Sequence, residues 1–133
     1  MFDLEKAFDN TDHKILVETL ERTDISQRSL NIIKLLLNNF RYSISGKNFV
    51  QCTVGTPQGS SISPLLFIIY INGISNIIER VLKFKGLARM FADDLLVRAY
   101  TELKVYEAIE AVQKHMKSLG LKLNHKKCKI IRI

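Results

Sequence analysis

The sequence predicts an α+β fold, a small antiparallel sheet with helices packed on one face. Three observations predict it. Four stretches carry apolar residues at helical spacing, and two others switch to hairpin patterning around short polar turns. No regular strand–helix–strand alternation runs through the chain, which argues against a parallel sheet.

Residues 2–4 are short and apolar enough for a buried strand. Asp9-Asn10-Thr11-Asp12 clusters turn and cap residues, with Asp9 and Asp12 read as helix caps. A helix should follow over about residues 13–22, with Ile15, Leu16 and Leu20 on one face. Asp24 or Ser26 caps a second helix, reaching about residue 40, with Leu30, Ile33, Leu37 and Phe40 in phase. From Arg41 the period changes: Tyr42, Ile44, Phe49, Val50 and Val54 flank Ser45-Gly46-Lys47-Asn48, which reads as a hairpin. Ser63-Pro64 is a helix start, Ser as cap and Pro in the first turn, for a helix to residue 82 loosened at Asn72-Gly73. A second hairpin spans residues 89–99, with Asp93-Asp94 at its turn. Leu103, Tyr106, Ile109, Val112, Met116 and Leu119 then form one apolar stripe, closed by Gly120. Residues 121–123 and 129–133 are candidate strands.

A chain of 133 residues with 47% hydrophobic and 25% charged residues describes one globular domain rather than a disordered polymer. The N-terminus has no basic-then-apolar leader, and residues 65–71, the most apolar run, fall short of a bilayer's width. An intracellular protein, nuclear or cytoplasmic, is therefore expected, with no membrane partner. Two cysteines are too few for a disulfide framework, and His125 with Cys128 lacks a second pair for zinc. The net charge of +7 is unevenly spread: residues 1–24 hold seven acids and three bases, while the rest hold six acids and seventeen bases. Basic surface with acids gathered at a few points suits a polyanion binder that also has an acidic metal site.

Asp93 and Asp94 stand side by side between apolar segments, with Arg98 the next charge along the chain. An Asp at a hairpin turn is ordinary. Two adjacent carboxylates without a counter-charge, however, repel until a cation neutralises them. Three further blocks accompany the pair: Asp3-Leu4-Glu5-Lys6-Ala7-Phe8-Asp9, Pro57-Gln58-Gly59-Ser60-Ser61-Ile62-Ser63-Pro64-Leu65-Leu66-Phe67, and Gly120-Leu121-Lys122-Leu123-Asn124-His125-Lys126-Lys127.

In this order and spacing the four blocks resemble the palm of a reverse transcriptase, most closely that of non-LTR (LINE-type) retrotransposons, and the likeness covers nearly all of residues 1–133. The resemblance implies an RNA-directed DNA polymerase that joins deoxynucleotides to a primer 3′-hydroxyl. Its partners would be an RNA template, a DNA primer and deoxynucleoside triphosphates. The chemistry would use two Mg²⁺ ions, or Mn²⁺ as substitute, roughly 3.5–4 Å apart. By the same resemblance Asp3 and Asp93 are the primary metal ligands and Asp94 the secondary one, while Lys127, with Lys126 as the alternative, lies near the triphosphate. Phe8 would lie under the incoming sugar, where its ring excludes a 2′-hydroxyl. Gln58 would contact the nucleotide, with Gly59 amides near phosphate or sugar and Ser60 and Ser61 towards the template. Ala92 ahead of the pair, where RNA-making relatives usually have Gly, also favours DNA synthesis. The resemblance further implies fingers and thumb segments, which the four blocks do not include, so the chain alone is expected to be an inactive palm fragment. The alternative is a non-catalytic retroelement remnant that folds and binds nucleic acid through its basic surface.

Overall fold

The computed structural model describes residues 1–44, 46, 48–57, 59–83, 88–91 and 94–132. These fall into two compact units: Met1–Ala7 with Ile71–Ile133, and Phe8–Tyr70. The architecture is α+β, as the periodicities predict, with two antiparallel hairpins and five helices among the described residues.

In the Phe8–Tyr70 unit, α1 (His13–Glu21) begins at Asp12, whose carboxylate accepts the Ile15 amide at 3.0 Å. Capping of this kind satisfies one of the orphan amides of a helix's first turn. Leu16 and Leu20 are fully buried, and α1 packs on both α2 (Gln27–Asn38) and α3 (Ser63–Tyr70). Ser26 caps α2, accepting the Ser29 amide, and Leu30, Ile33 and Leu37 point into the core. Asp9 caps none of the described helices. Strands β1 (Arg41–Ile44) and β2 (Asn48–Gln51) pair with Tyr42 opposite Val50, and Val54 bridges Asp12. Ser63 departs from its expected role. It is the first residue of α3, and its buried hydroxyl donates to the Pro57 carbonyl at 2.7 Å, so it braces the preceding loop instead of capping the helix.

The expected long helix over residues 64–82 is two helices, α3 and α4 (Ile74–Leu82). The break falls at Gly73, whose φ of 98° an L side chain rarely adopts. The run Ser63–Leu82 is long and apolar enough to cross a membrane by length and composition alone, which the shorter window of residues 65–71 did not suggest. Its two helices turn Leu66, Phe67, Tyr70, Ile74, Ile78 and Leu82 into protein interior.

The other unit is built on a layered set of antiparallel rows. β3 (Ala88–Phe91) pairs with β4 (Asp94–Val97), setting Met90 opposite Leu95 and Phe91 opposite Asp94. Phe2 bridges Leu95, and Leu4 bridges Leu123. Residues 2–4 thus lie between β4 and residues 121–123, although each contributes single bridges rather than a full strand. Phe2, Leu4, Ala88, Leu95, Leu121 and Leu123 are buried. α4 packs on β3 and on α5 (Glu102–Ser118), whose N-cap Thr101 accepts the Lys104 amide.

Two expectations fail here. Residues 129–132 form no strand: Ile130 and Ile131 are exposed, and only Lys129 exchanges backbone bonds, with Met1. Leu103 and Tyr106 are also exposed, because the core seam of α5 runs through Ala108, Val112 and Met116 at a spacing of four.

His115 on α5 keeps its Nε2 buried with no hydrogen-bond partner among the described residues. Burial lowers its pKa below the ordinary 6.5, since charging the ring would strip water from the imidazolium. Above 6.5 the ring is neutral in both states and stability is at its fullest. As pH falls below 6.5 the unfolded chain gains a proton first, so stability declines. Urea midpoints are expected to fall from neutral to mildly acid pH more steeply in wild type than in His115→Gln. Parallel profiles for the two proteins would count against it.

Candidate active site

The antiparallel bridge between Phe2 and Leu95 determines where the N-terminal carboxylate goes. The two residues exchange both backbone hydrogen bonds, Phe2 N to Leu95 O at 2.7 Å and Leu95 N to Phe2 O at 3.0 Å. Continuing that register by one residue sets Asp3 opposite Asp94, on the face turned away from the buried Phe2 and Leu95. On its other side Asp3 is tied to the C-terminal segment, since its carbonyl accepts the Asn124 amide at 2.9 Å. Asp3 is therefore the middle member of three adjacent rows.

The Asp3 side chain is only 13% exposed, and its Oδ2 is buried without a hydrogen-bond partner among the described residues. The other oxygen, Oδ1, lies 3.6 Å from the Lys127 ammonium, which is itself 67% exposed. So exposed a cation contributes little, typically under ~1 kcal/mol. A buried carboxylate oxygen left unpaired is costly and calls for a cation or donor. With Asp94 half-buried alongside, this is a hard oxygen donor set that fits Mg²⁺ or Mn²⁺. Among the described residues no three His, Cys, Asp or Glu side chains gather into a metal site. Asp93, the third carboxylate expected there, lies outside the described residues.

Lys127 reaches Asp3 because Asn124 starts a turn: its carbonyl accepts the amides of Lys127 and Cys128, each at 3.0 Å. Asn124 is the positioning residue that reasoning from residue types passes over. The signal for it was the three-residue spacing from Asn124 to Lys127, one turn of chain. Lys126 is exposed and pairs with no carboxylate among the described residues, whereas Lys127 lies beside Asp3.

The remaining predicted residues belong to the other unit. Phe8 is half-buried, and its ring lies 4.7 Å from that of Phe67, tilted by 39°. Its carbonyl accepts the Thr56 amide at 2.9 Å. Gly55 next to it has a φ of 89°, and a Cβ there would come within 3.2 Å of the Asp9 carbonyl. Only glycine fits both demands, so the start of the Gly/Ser loop is pinned beside Phe8 and Asp9. The Gly55 amide donates to Thr11 O at 2.7 Å, and His13 Nε2 reaches Gly55 O at 2.6 Å. Gly59 and Ser61 are exposed and Ser60 is half-buried, its amide donating to Pro57 O at 3.2 Å. Gln58 lies outside the described residues. Beneath this loop Tyr70 is buried, and its phenol accepts the Asp12 amide at 3.2 Å. Burial holds the Tyr70 pKa above 10.0; the Asp12 amide works against that and the Asp12 carboxylate adds to it.

The sequence matches, over residues 1–132, the family described as Reverse transcriptase (RNA-dependent DNA polymerase). It is 24% identical over 137 residues to the retrovirus-related Pol polyprotein from type-1 retrotransposable element R2 of Nasonia vitripennis, covering 96% of this chain and 13% of that protein. It is 27% identical over 136 residues to the corresponding polyprotein from type-2 retrotransposable element R2DM of Drosophila melanogaster, covering 95% of this chain and 13% of that protein. An uncharacterized 91 kDa protein in the cob intron of Schizosaccharomyces pombe is 32% identical over 79 residues, 59% of this chain and 10% of its own length. The chain spans 13% of the length of the two Pol polyproteins.

Proposed function

Because the chain belongs to the reverse transcriptase (RNA-dependent DNA polymerase) family, we propose that it is the palm segment of a non-LTR retrotransposon polymerase. Its substrates are an RNA template, a DNA primer and deoxynucleoside triphosphates. The observation that carries this reading is the Asp3 carboxylate, held opposite Asp94 with one oxygen buried and unpaired. Asp3 and Asp93, with Asp94 as the secondary ligand, would hold two divalent ions, Mg²⁺ or Mn²⁺. Two such ions, when bound, neutralise the attacking and leaving oxygens of phosphoryl transfer.

The chain's own residues do the positioning. The Phe2–Leu95 bridge and the Asn124 bond hold Asp3 from both sides, so its carboxylate is aimed before any substrate arrives. Lys127 lies near one Asp3 oxygen in the free protein, loosely enough to turn to a triphosphate oxygen in the complex. Phe8, backed by Phe67, supplies the ring that excludes a 2′-hydroxyl, and Gln58 through Ser61 meet the nucleotide and the template.

Phosphoryl transfer is mainly positioning and charge stabilisation, and orientation alone contributes roughly 7–11 kcal/mol. A chain with 13% of the length of its polyprotein relatives supplies part of that. The expected result for the 133-residue chain is primer–template binding that weakens steeply with salt, without extension of the primer. The assay is incorporation of labelled deoxynucleotides on a primed RNA template with Mg²⁺, against Asp93→Asn/Asp94→Asn protein as background. Template-dependent product above that background would overturn the fragment reading. Absence of any primer–template binding would overturn the polymerase reading itself.

A further inference from the structure

We propose that the β1–β2 hairpin is a second nucleic-acid contact, which seats single-stranded RNA by stacking unpaired bases on Tyr42 and Phe49 with Arg41 at the phosphates. The proposal rests on the polymerase reading and adds a surface to it. Directly opposed residues of an antiparallel pair share a face. Tyr42 therefore lies with Val50 on one face, while Arg41–Gln51 and Ser43–Phe49 make the other. Every described side chain of the hairpin is exposed, Tyr42 by 51% and Phe49 by 67%. Aromatic rings left in water on both faces of a two-stranded ribbon add little to folding, and a ribbon of two strands is marginal by itself.

Tyr42 is nevertheless held in place. Phe40 stands edge-on to it with ring centroids 5.1 Å apart, and His13 lies 6.2 Å from Phe40. The Phe40 carbonyl accepts the Cys52 amide at 3.0 Å. The His13 ring is anchored in turn, because Nε2 faces the Gly55 carbonyl at 2.6 Å; a carbonyl only accepts, so that nitrogen carries the proton. Tyr42 thus stands at the end of a braced aromatic row, and a platform ordered beforehand loses little freedom when a base stacks on it.

Charge selects the occupant. Residues 25–70 contain four basic residues and no acidic one. Of these, Lys34 is paired with Glu21 at 2.6 Å, while Arg41 makes no ion pair among the described residues and shares a face with Phe49. Single-stranded nucleic acid combines what the surface offers to bind, open π faces and phosphates, whereas duplex bases are already stacked.

The test is fluorescence anisotropy with a short labelled oligoadenylate RNA. Tyr42→Ala and Phe49→Ala are each expected to weaken binding roughly five- to hundredfold. Tyr42→Phe keeps the ring and should keep the affinity, and Tyr106→Ala, an exposed tyrosine on α5, should bind as wild type. Arg41→Gln should lower the slope of log affinity against log salt by about one. The chain has four tyrosines and no tryptophan, so RNA should quench the intrinsic fluorescence of wild type, and part of that quenching should vanish in Tyr42→Phe. Wild-type affinity in both alanine variants would overturn the proposal, and so would failure of the wild type to bind. Unchanged RNA affinity with a shift from dimer to monomer in Tyr42→Ala would assign the hairpin to a protein interface and overturn it as well. Mn²⁺ binding should be the same in all these variants, so failure of the metal site and failure of the hairpin contact are read separately.

Discussion

Replacing Asp3 and Asp94 together by Asn is expected to stabilise the protein in chelator and to abolish its stabilisation by Mn²⁺. The two effects have opposite signs and one origin. Like charges directly opposed across an antiparallel pair cost about 0.2–1 kcal/mol, and the double variant removes that repulsion. Wild type recovers the loss when a divalent ion binds only the folded form. At a hundredfold excess over the dissociation constant that linkage contributes ~2.7 kcal/mol. The melting curves of the two proteins should therefore cross: variant above wild type in chelator, wild type above variant in saturating Mn²⁺. Calorimetric titration supplies the direct check, with binding heat in wild type and none in the variant. Equal Mn²⁺ binding by both proteins would remove the metal site from Asp3 and Asp94 altogether.

The largest loss of stability is expected from Phe67→Ala. Phe67 is fully buried on α3, the helix that packs on α1, and its ring lies 4.7 Å from Phe8. Removing a buried Phe side chain costs about 3–5 kcal/mol, part transfer free energy and part cavity. Set against a domain stability of about 5–15 kcal/mol, that is a large share. Phe8 then loses the ring behind it. Urea unfolding measures the effect. A cost below about 1 kcal/mol would mean that the surrounding side chains close the gap.

The helices of this fold are legible in the residues because their signals are local. Asp12 and Ser26 sit one residue ahead of α1 and α2 and accept amides of the first turn, as their types predict. Leu16, Leu20, Leu30, Ile33 and Leu37 are buried at helical spacing. Where reading failed, the cause was non-local. Alternation in residues 129–133 resembles a strand, but a strand needs a neighbour, and none of residues 129–132 has one beyond the backbone exchange of Lys129 with Met1. The stripe of α5 was misjudged at Leu103 and Tyr106 because small Ala108, not a large apolar residue, faces the core. For the candidate site, residue types and order were legible, and the exact register was not. That Asp3 lies opposite Asp94 depends on one bridge between residues ninety-three apart in sequence, Phe2 and Leu95, and no local pattern encodes such a register.

The row that carries Asp3 has a further property, a separate stability of its own. It is joined to the rest by backbone bonds at Met1, Phe2, Asp3 and Glu5, with partners at Lys129, Leu95, Asn124 and Lys122. A row joined by isolated bridges rather than a full ladder opens more often than a helix core, so this row samples detached states without global unfolding. Each opening takes Asp3 away from Asp94 and leaves the seam of α4 and α5 in place. The Phe2 and Leu95 amides accordingly exchange hydrogen with solvent through local opening, and they do so sooner than the amides of Val112 or Ile78. Whatever neutralises the Asp3 carboxylate also fastens this edge, so occupancy of the acidic site and order of the N-terminal segment rise and fall together.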